Sequence, residues 1–110
     1  MQRLNNDTLQ PFINERGVSV IMFGAPDGEA TMAQAIDFAD AWFDCHDEAN
    51  FGYIDAFANA VAARAYAVRV LPTTMIARDG EIIAWIEGRH ASTIITSAIG
   101  NAVRNYAMAA

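Results

Sequence analysis

At 110 residues, 54% hydrophobic and 18% charged, the chain is long enough for one core and too short for two ordinary domains, so residues 1–110 read as a single domain. Its longest mainly apolar run, residues 18–25, falls far short of the roughly 20 residues a membrane span needs, and the first seven residues lack the charged-then-apolar order of a signal peptide. Thirteen acidic against seven basic side chains give a net charge of −6, with no lysine and the arginines scattered singly, which repels a nucleic-acid backbone.

Asn6 or Asp7 is placed to cap a first helix carrying Leu9, Phe12 and Ile13, which Gly17 ends. Residues 18–23 are short, apolar and rich in β-formers, which predicts a strand buried on both faces. From about residue 29 to 43, Met32, Ile36, Ala39 and Phe43 fall on one stripe. That spacing predicts a helix with this stripe toward the core and Gln34, Asp37 and Asp40 turned away. Residues 51–55 read as a strand, 58–66 as a short alanine-rich helix and 73–77 as a third strand. Arg78-Asp79-Gly80-Glu81 predicts a hairpin turn in which glycine supplies a positive φ, leading into a strand over 81–86. Ser92 is placed to cap a last helix with Ile95, Ile99, Ala102, Val103 and Tyr106 on its apolar side. This order implies an α/β fold with a mixed sheet of about four strands flanked by about four helices. Trp42, Phe43, Phe51, Phe57 and Trp85 sit at helical or strand spacing and are read as core, and the acidic stretch 37–48 as a solvated helix face and loop.

Three stretches carry a more specific signal. Val18-Ser19-Val20-Ile21-Met22-Phe23-Gly24-Ala25-Pro26 leads into a helix, Tyr53-Ile54-Asp55 forms a second core strand, and Tyr66-Ala67-Val68-Arg69-Val70-Leu71-Pro72-Thr73 runs through Asp79-Gly80-Glu81 to Gly88. Together they resemble the thioredoxin family over nearly the whole chain. The resemblance implies a thioredoxin-like fold with a cis Leu71–Pro72 bond before the third strand. It also exposes departures, because the place of the CxxC tetrad reads Asp27-Gly28-Glu29-Ala30. In the family the first cysteine is a nucleophile stabilised by the helix dipole and the second resolves the mixed disulfide, and neither Asp27 nor Ala30 can do either. By the resemblance, the buried carboxylate for proton transfer falls on Ile21 and its lysine partner near Tyr53, so the relay is lost and Ile21 puts hydrocarbon where the carboxylate would stand. The Asp27 carboxylate is expected to cap the helix instead.

Cys45 is the one cysteine, which excludes an internal disulfide framework and fits a reducing, cytoplasmic compartment. It lies in Asp44-Cys45-His46-Asp47-Glu48, where the helix C-terminus and acidic neighbours disfavour a thiolate. A peroxide-sensitive thiol, an intermolecular disulfide and a metal site with His46 are alternatives to an incidental helix-end cysteine. The incidental cysteine is preferred, since adjacent Cys and His cannot close a tetrahedral site without distant ligands. His90 reads as a solvated or capping residue in the loop before the last helix. No grouping suggests a Ser-His-Asp triad, and no glycine-rich phosphate loop occurs.

By the resemblance, what remains without cysteines is a groove made by Pro26, Asp27 and Gly28, by Val70, Leu71 and Pro72, and by Glu87, Gly88 and Arg89, where an extended peptide can pair with backbone. The expected function is a redox-inactive interaction or assembly and chaperone module, similar in kind to the cysteine-less thioredoxin-like proteins that assist hydrogenase maturation. It would need no catalytic residue, metal or cofactor, and its partner would be a protein or extended peptide, with no nucleic acid or membrane and with oligomers allowed. Two alternatives are a monothiol reductase or peroxide sensor using Cys45, and a binder of glutathione or another small thiol.

Overall fold

A computed structural model describes residues 1–109, with side chains described through residue 104. The elements run β1 (Gln2–Leu4), α1 (Leu9–Ile13), β2 (Val18–Gly24), α2 (Glu29–Cys45), β3 (Ala49–Asp55), α3 (Ala60–Ala65), β4 (Thr73–Arg78), β5 (Glu81–Glu87) and α4 (Ser92–Ala109). They form one sheet in the order β1-β3-β2-β4-β5. β1 and β2 run parallel to β3, while β4 is antiparallel to both β2 and β5. The architecture is therefore mixed α/β with five strands, one more than the sequence suggests.

The central strand β2 shows why the sheet is covered on both faces. Its side chains alternate with a period of two: Val18, Val20 and Met22 join Phe38, Phe51, Ile76, Ile95 and Ile99 beneath α2 and α4. Ile21 and Phe23 point the other way and join Leu4, Leu9, Phe12, Ile13, Ile54 and Met75 beneath α1 and α3. Phe38 meets Phe51 edge-on, with ring centroids 5.3 Å apart, an arrangement that adds to simple area burial. Ser19 is buried on the α1 side, where its hydroxyl donates to the Phe12 carbonyl.

Several local expectations hold. Leu9, Phe12 and Ile13 are buried, as are Ile95, Ile99 and Ala102; Tyr106 lies outside the residues whose side chains are described. Asp79 and Gly80 both have positive φ, 50° and 91°, and with Arg78 paired to Glu81 they make the two-residue hairpin turn whose twist suits the flanking strands.

Other expectations are corrected. α2 rests on Thr31, Gln34, Phe38 and Ala41, whereas Met32, Ile36 and Phe43 are exposed. The row that packs is the less apolar one, because Phe38 has Phe51 to meet, Ala41 allows close approach, and the Gln34 amide finds partners inside. Among the five aromatic residues read as core, only Phe51 is buried. The caps also differ. The residue before α1 is Thr8, with no side-chain cap bond, and Asn5 organises the turn by accepting from the Asp7 and Thr8 N–H groups. Asn6 reaches across the fold to accept from the Ala62 N–H in the first turn of α3, while Asn59 accepts from the Asn6 N–H. Ser92 is the first helical residue of α4 rather than its cap.

Candidate functional site

The register decides which segments meet. Phe23 and Glu87 both pair with Thr73, so the C-terminal ends of β2 and β5 flank the N-terminal start of β4. The three predicted groove segments thus lie at one end of the sheet: residues 26–28 leave β2, residues 70–72 enter β4, and residues 87–89 leave β5. The ladder stops at Thr73, with one further bond from the Gly88 N–H to the Pro72 carbonyl at 2.8 Å. The Leu71–Pro72 peptide is cis. Pro72 is buried, Leu71 half-buried against the α1/α3 core, and Val70 is 38% exposed. Pro26 and Asp27 are exposed and Gly28 half-buried.

The loop from β2 into α2 is held from within. Thr31 accepts a hydrogen bond from the Ala25 N–H through Oγ1 at 3.0 Å, and the Gly28 N–H bonds the Ala25 carbonyl at 2.9 Å. Gly24 is required here by close approach, since a Cβ on it would stand 2.5 Å from the Thr31 methyl and 3.1 Å from the Tyr53 ring. The N-cap of α2 is Gly28, with extended backbone and no side-chain cap bond. Asp27 therefore precedes the cap and does not fill it, contrary to expectation.

The wall at 87–89 is strapped down by side chains that the sequence reading assigned elsewhere. Gln34 is fully buried: its amide accepts from the His90 N–H at 2.6 Å and donates to the His90 carbonyl at 3.0 Å. Arg89 donates to Asp37 Oδ2 through Nε and Nη2, at 3.2 and 2.9 Å. Arg69 grips Glu87 with two bonds, at 3.0 and 3.2 Å, a fork geometry that ordinary ion pairs lack. The Arg69 hydrogen bond holds the Glu87 carboxyl below its usual range. Both charged members of this wall are thus engaged within the chain. His90 is half-buried, and its Nε2 sits 3.0 Å from the Glu87 carbonyl. Polar residues at helical spacing on α2, Gln34 and Asp37, were the available signal, but a stripe of stronger hydrophobes beside them masks it.

Gly88 is open to solvent at its Cα, yet its φ of +82° disfavours any side chain there. It shapes the wall and is no place to install a blocking residue.

No protein-family model and no curated protein matches this sequence. Solved structures do. The thioredoxin of Fasciola hepatica superposes with a TM-score of 0.83 at 23% identity, covering 93% of this chain and 99% of that one. Malassezia sympodialis thioredoxin gives 0.84 at 19% identity, with 94% and 90% covered. Mitochondrial thioredoxin 3 of Saccharomyces cerevisiae, in its oxidized form, gives 0.83 at 20% identity, with 92% and 94% covered. The chain has a thioredoxin fold.

Within that fold, the geometry moves two sequence-level assignments by one residue. Ile21 faces α1 and α3, while Tyr53 packs on the α2/α4 side, so they cannot be two halves of one relay. The buried β2 side chain that pairs with Tyr53 on the α2 face is Met22. At the helix start, the residues that face each other across the first turn are Gly28 and Thr31: an ideal Cβ on Gly28 would stand 3.5 Å from Thr31 Oγ1. Ala30 is exposed. Either frame places no thiol at this end of α2.

Gly28→Cys with Thr31→Cys is therefore expected to form a disulfide under mild oxidation, more readily than Asp27→Cys with Ala30→Cys, because only the first pair has side chains directed at each other. Mass spectrometry of thiol content checks this, and preferential closure of the 27/30 pair would restore the original frame.

Cys45 is the last residue of α2, roughly 24 Å along the helix from Glu29. Its thiol is half-buried and pushed up by burial first and then by Glu48 and Asp44. His46 stacks on Trp42, centroids 4.9 Å apart, and approaches Asp47 at 3.3 Å. Among the described residues, no group of three or more His, Cys, Asp or Glu is arranged to hold a metal ion, and no helix is long and apolar enough to cross a membrane.

Proposed function

We propose that this thioredoxin-fold protein binds an extended segment of a partner protein in the groove beside Leu71 and Pro72, as an interaction or assembly module, without exchanging disulfides. The observation that carries this reading is the distance between its one thiol and the groove. Thiol–disulfide exchange needs an attacking thiolate and a resolving thiol. The start of α2 supplies Asp27, Gly28, Glu29, Ala30 and Thr31, and Cys45 stands at the far end of the helix with its thiol held protonated. A lone, poorly ionised thiol suits a reducing compartment such as the cytoplasm.

A binding role draws on what is left. Residues 70–71 lie beyond the last rung of the β4 ladder; the Val70 carbonyl accepts from the Thr73 hydroxyl, and an incoming strand would lie against Leu71 and the exposed Val70 side chain. The wall across from them is tied within the chain, Glu87 by Arg69 and Arg89 by Asp37, with Gln34 holding His90 beside it. Preorganisation of this kind reduces the entropy lost on binding.

Panning a displayed library of short extended peptides on the protein tests the reading. Selected peptides are expected to bind the wild type and the Cys45→Ser variant equally. They should bind Val70→Asp about tenfold more weakly, a loss of about 1.4 kcal/mol, with the melting temperature intact because Val70 is outside the core. Val70 is the better probe than Leu71, which packs on the core, or Gly88, whose backbone resists substitution. Peptides indifferent to Val70→Asp would place binding on another face.

A further inference from the structure

The α2 row that the sequence marks as core points to solvent. Met32, Ile36 and Phe43 are 61%, 68% and 75% exposed. With Ala39 they repeat at i, i+4, i+7 and i+11, in line over roughly 17 Å of helix. Scattered exposed apolar side chains need no explanation, but a contiguous stripe does. Beside it opens an apolar cavity of about 300 Å³ whose lining includes Met1, Met22, Pro26 and Tyr53 together with Met32 and Ala39. The last two belong to both features, so ridge and hollow form one surface able to receive a large apolar anchor.

The border of this surface is acidic. Asp40 and Asp44 are exposed one step further round the helix, Asp47 and Glu48 follow its end, and Glu29 stands at its start. Asp37 is already taken by Arg89. We propose that the outward face of α2 and its adjoining cavity dock an amphipathic segment of a partner protein, with apolar residues covering Met32, Ile36 and Phe43 and Lys or Arg residues meeting Asp40 and Asp44. Charge disfavours the other occupants. A second copy brings a net −6 against −6, and four side chains supply only part of the roughly 800 Å² per partner that a standard interface buries. An anionic lipid surface is repelled by the same carboxylates. This site touches the groove only at Pro26 and does not depend on it.

The test is calorimetric titration of the full chain with an amphipathic leucine–lysine helix of about five turns, beside a scrambled peptide of the same composition and a leucine–glutamate counterpart. The leucine–lysine helix is expected to bind at least about tenfold more tightly than either control. Ile36→Ser with Phe43→Ser should weaken it about tenfold or more while the melting temperature stays or rises, and Asp40→Asn with Asp44→Asn should weaken it and flatten its salt dependence. The proposal is overturned if the scrambled peptide binds as well, or if the Ile36/Phe43 variant keeps its affinity. It is also overturned if sedimentation shows a dimer that this variant dissolves, or if the protein binds phosphatidylcholine vesicles through the same residues.

Discussion

Ile21→Asp is expected to destabilise the protein by about 3 to 5 kcal/mol, the scale of an uncompensated charge in a core. Ile21 is fully buried in the central strand in an apolar cluster with Leu4, Phe23, Ile54 and Met75. Met22→Asp should cost less, although Met22 is also buried, because Met22 lines the cavity beneath the start of α2 and water entering there can solvate the carboxylate. Both carboxyls would have folded pKa values raised by burial. Their proton-linked stability is therefore complete below the unfolded value of about 3.9 and is lost as pH rises toward the folded one. Urea unfolding at pH 4 and pH 8 reads this directly. Equal losses in the two variants, or a larger loss in Met22→Asp, would contradict the assignment of sheet faces.

Gln34→Leu is expected to cost about 2 kcal/mol, despite the similar volume, because it leaves the His90 N–H and carbonyl without the amide that now satisfies both. The loop from β5 to α4 should loosen with it, so amide exchange at residues 88–90 should accelerate more than exchange in β2. Gln34→Glu keeps an acceptor for the His90 N–H but sets a buried carboxylate against the His90 carbonyl. At neutral pH it should therefore cost at least as much as Gln34→Leu, and recover part of the loss as pH falls and the carboxyl regains a proton to donate. A Gln34→Leu protein as stable as wild type, with unchanged exchange in the loop, would show that the strap is idle.

Most of the fold was legible because the strands and helices announce themselves locally. Residues 18–23 alternate toward two cores, and Asp79-Gly80 makes its turn by backbone preference alone. β1 was not legible: Gln2-Arg3-Leu4 has one apolar residue, and it becomes a strand only because the open edge of β3 is there to pair with it. The facing of α2 failed for a related reason. Two rows of the helix could have packed, and the choice rests on partners distant in sequence, Phe51 for Phe38 and His90 for Gln34, that leave no periodic trace. In the groove, the positions of residues 26–28, 70–72 and 87–89 followed from the resemblance. Their supports did not, since Gln34 to His90, Asp37 to Arg89 and Arg69 to Glu87 are long-range pairs. Glu87 and Arg89, expected only as groove residues, are the anchored ends of two of these straps.

The central claim is that this thioredoxin fold works without thiol–disulfide exchange, and insulin reduction by dithiothreitol tests it most directly. The account predicts that wild type and Cys45→Ser both proceed at the rate of dithiothreitol alone, since no attacking and resolving pair of thiols is present. Turnover clearly above that baseline in the wild type, abolished by Cys45→Ser, would contradict it.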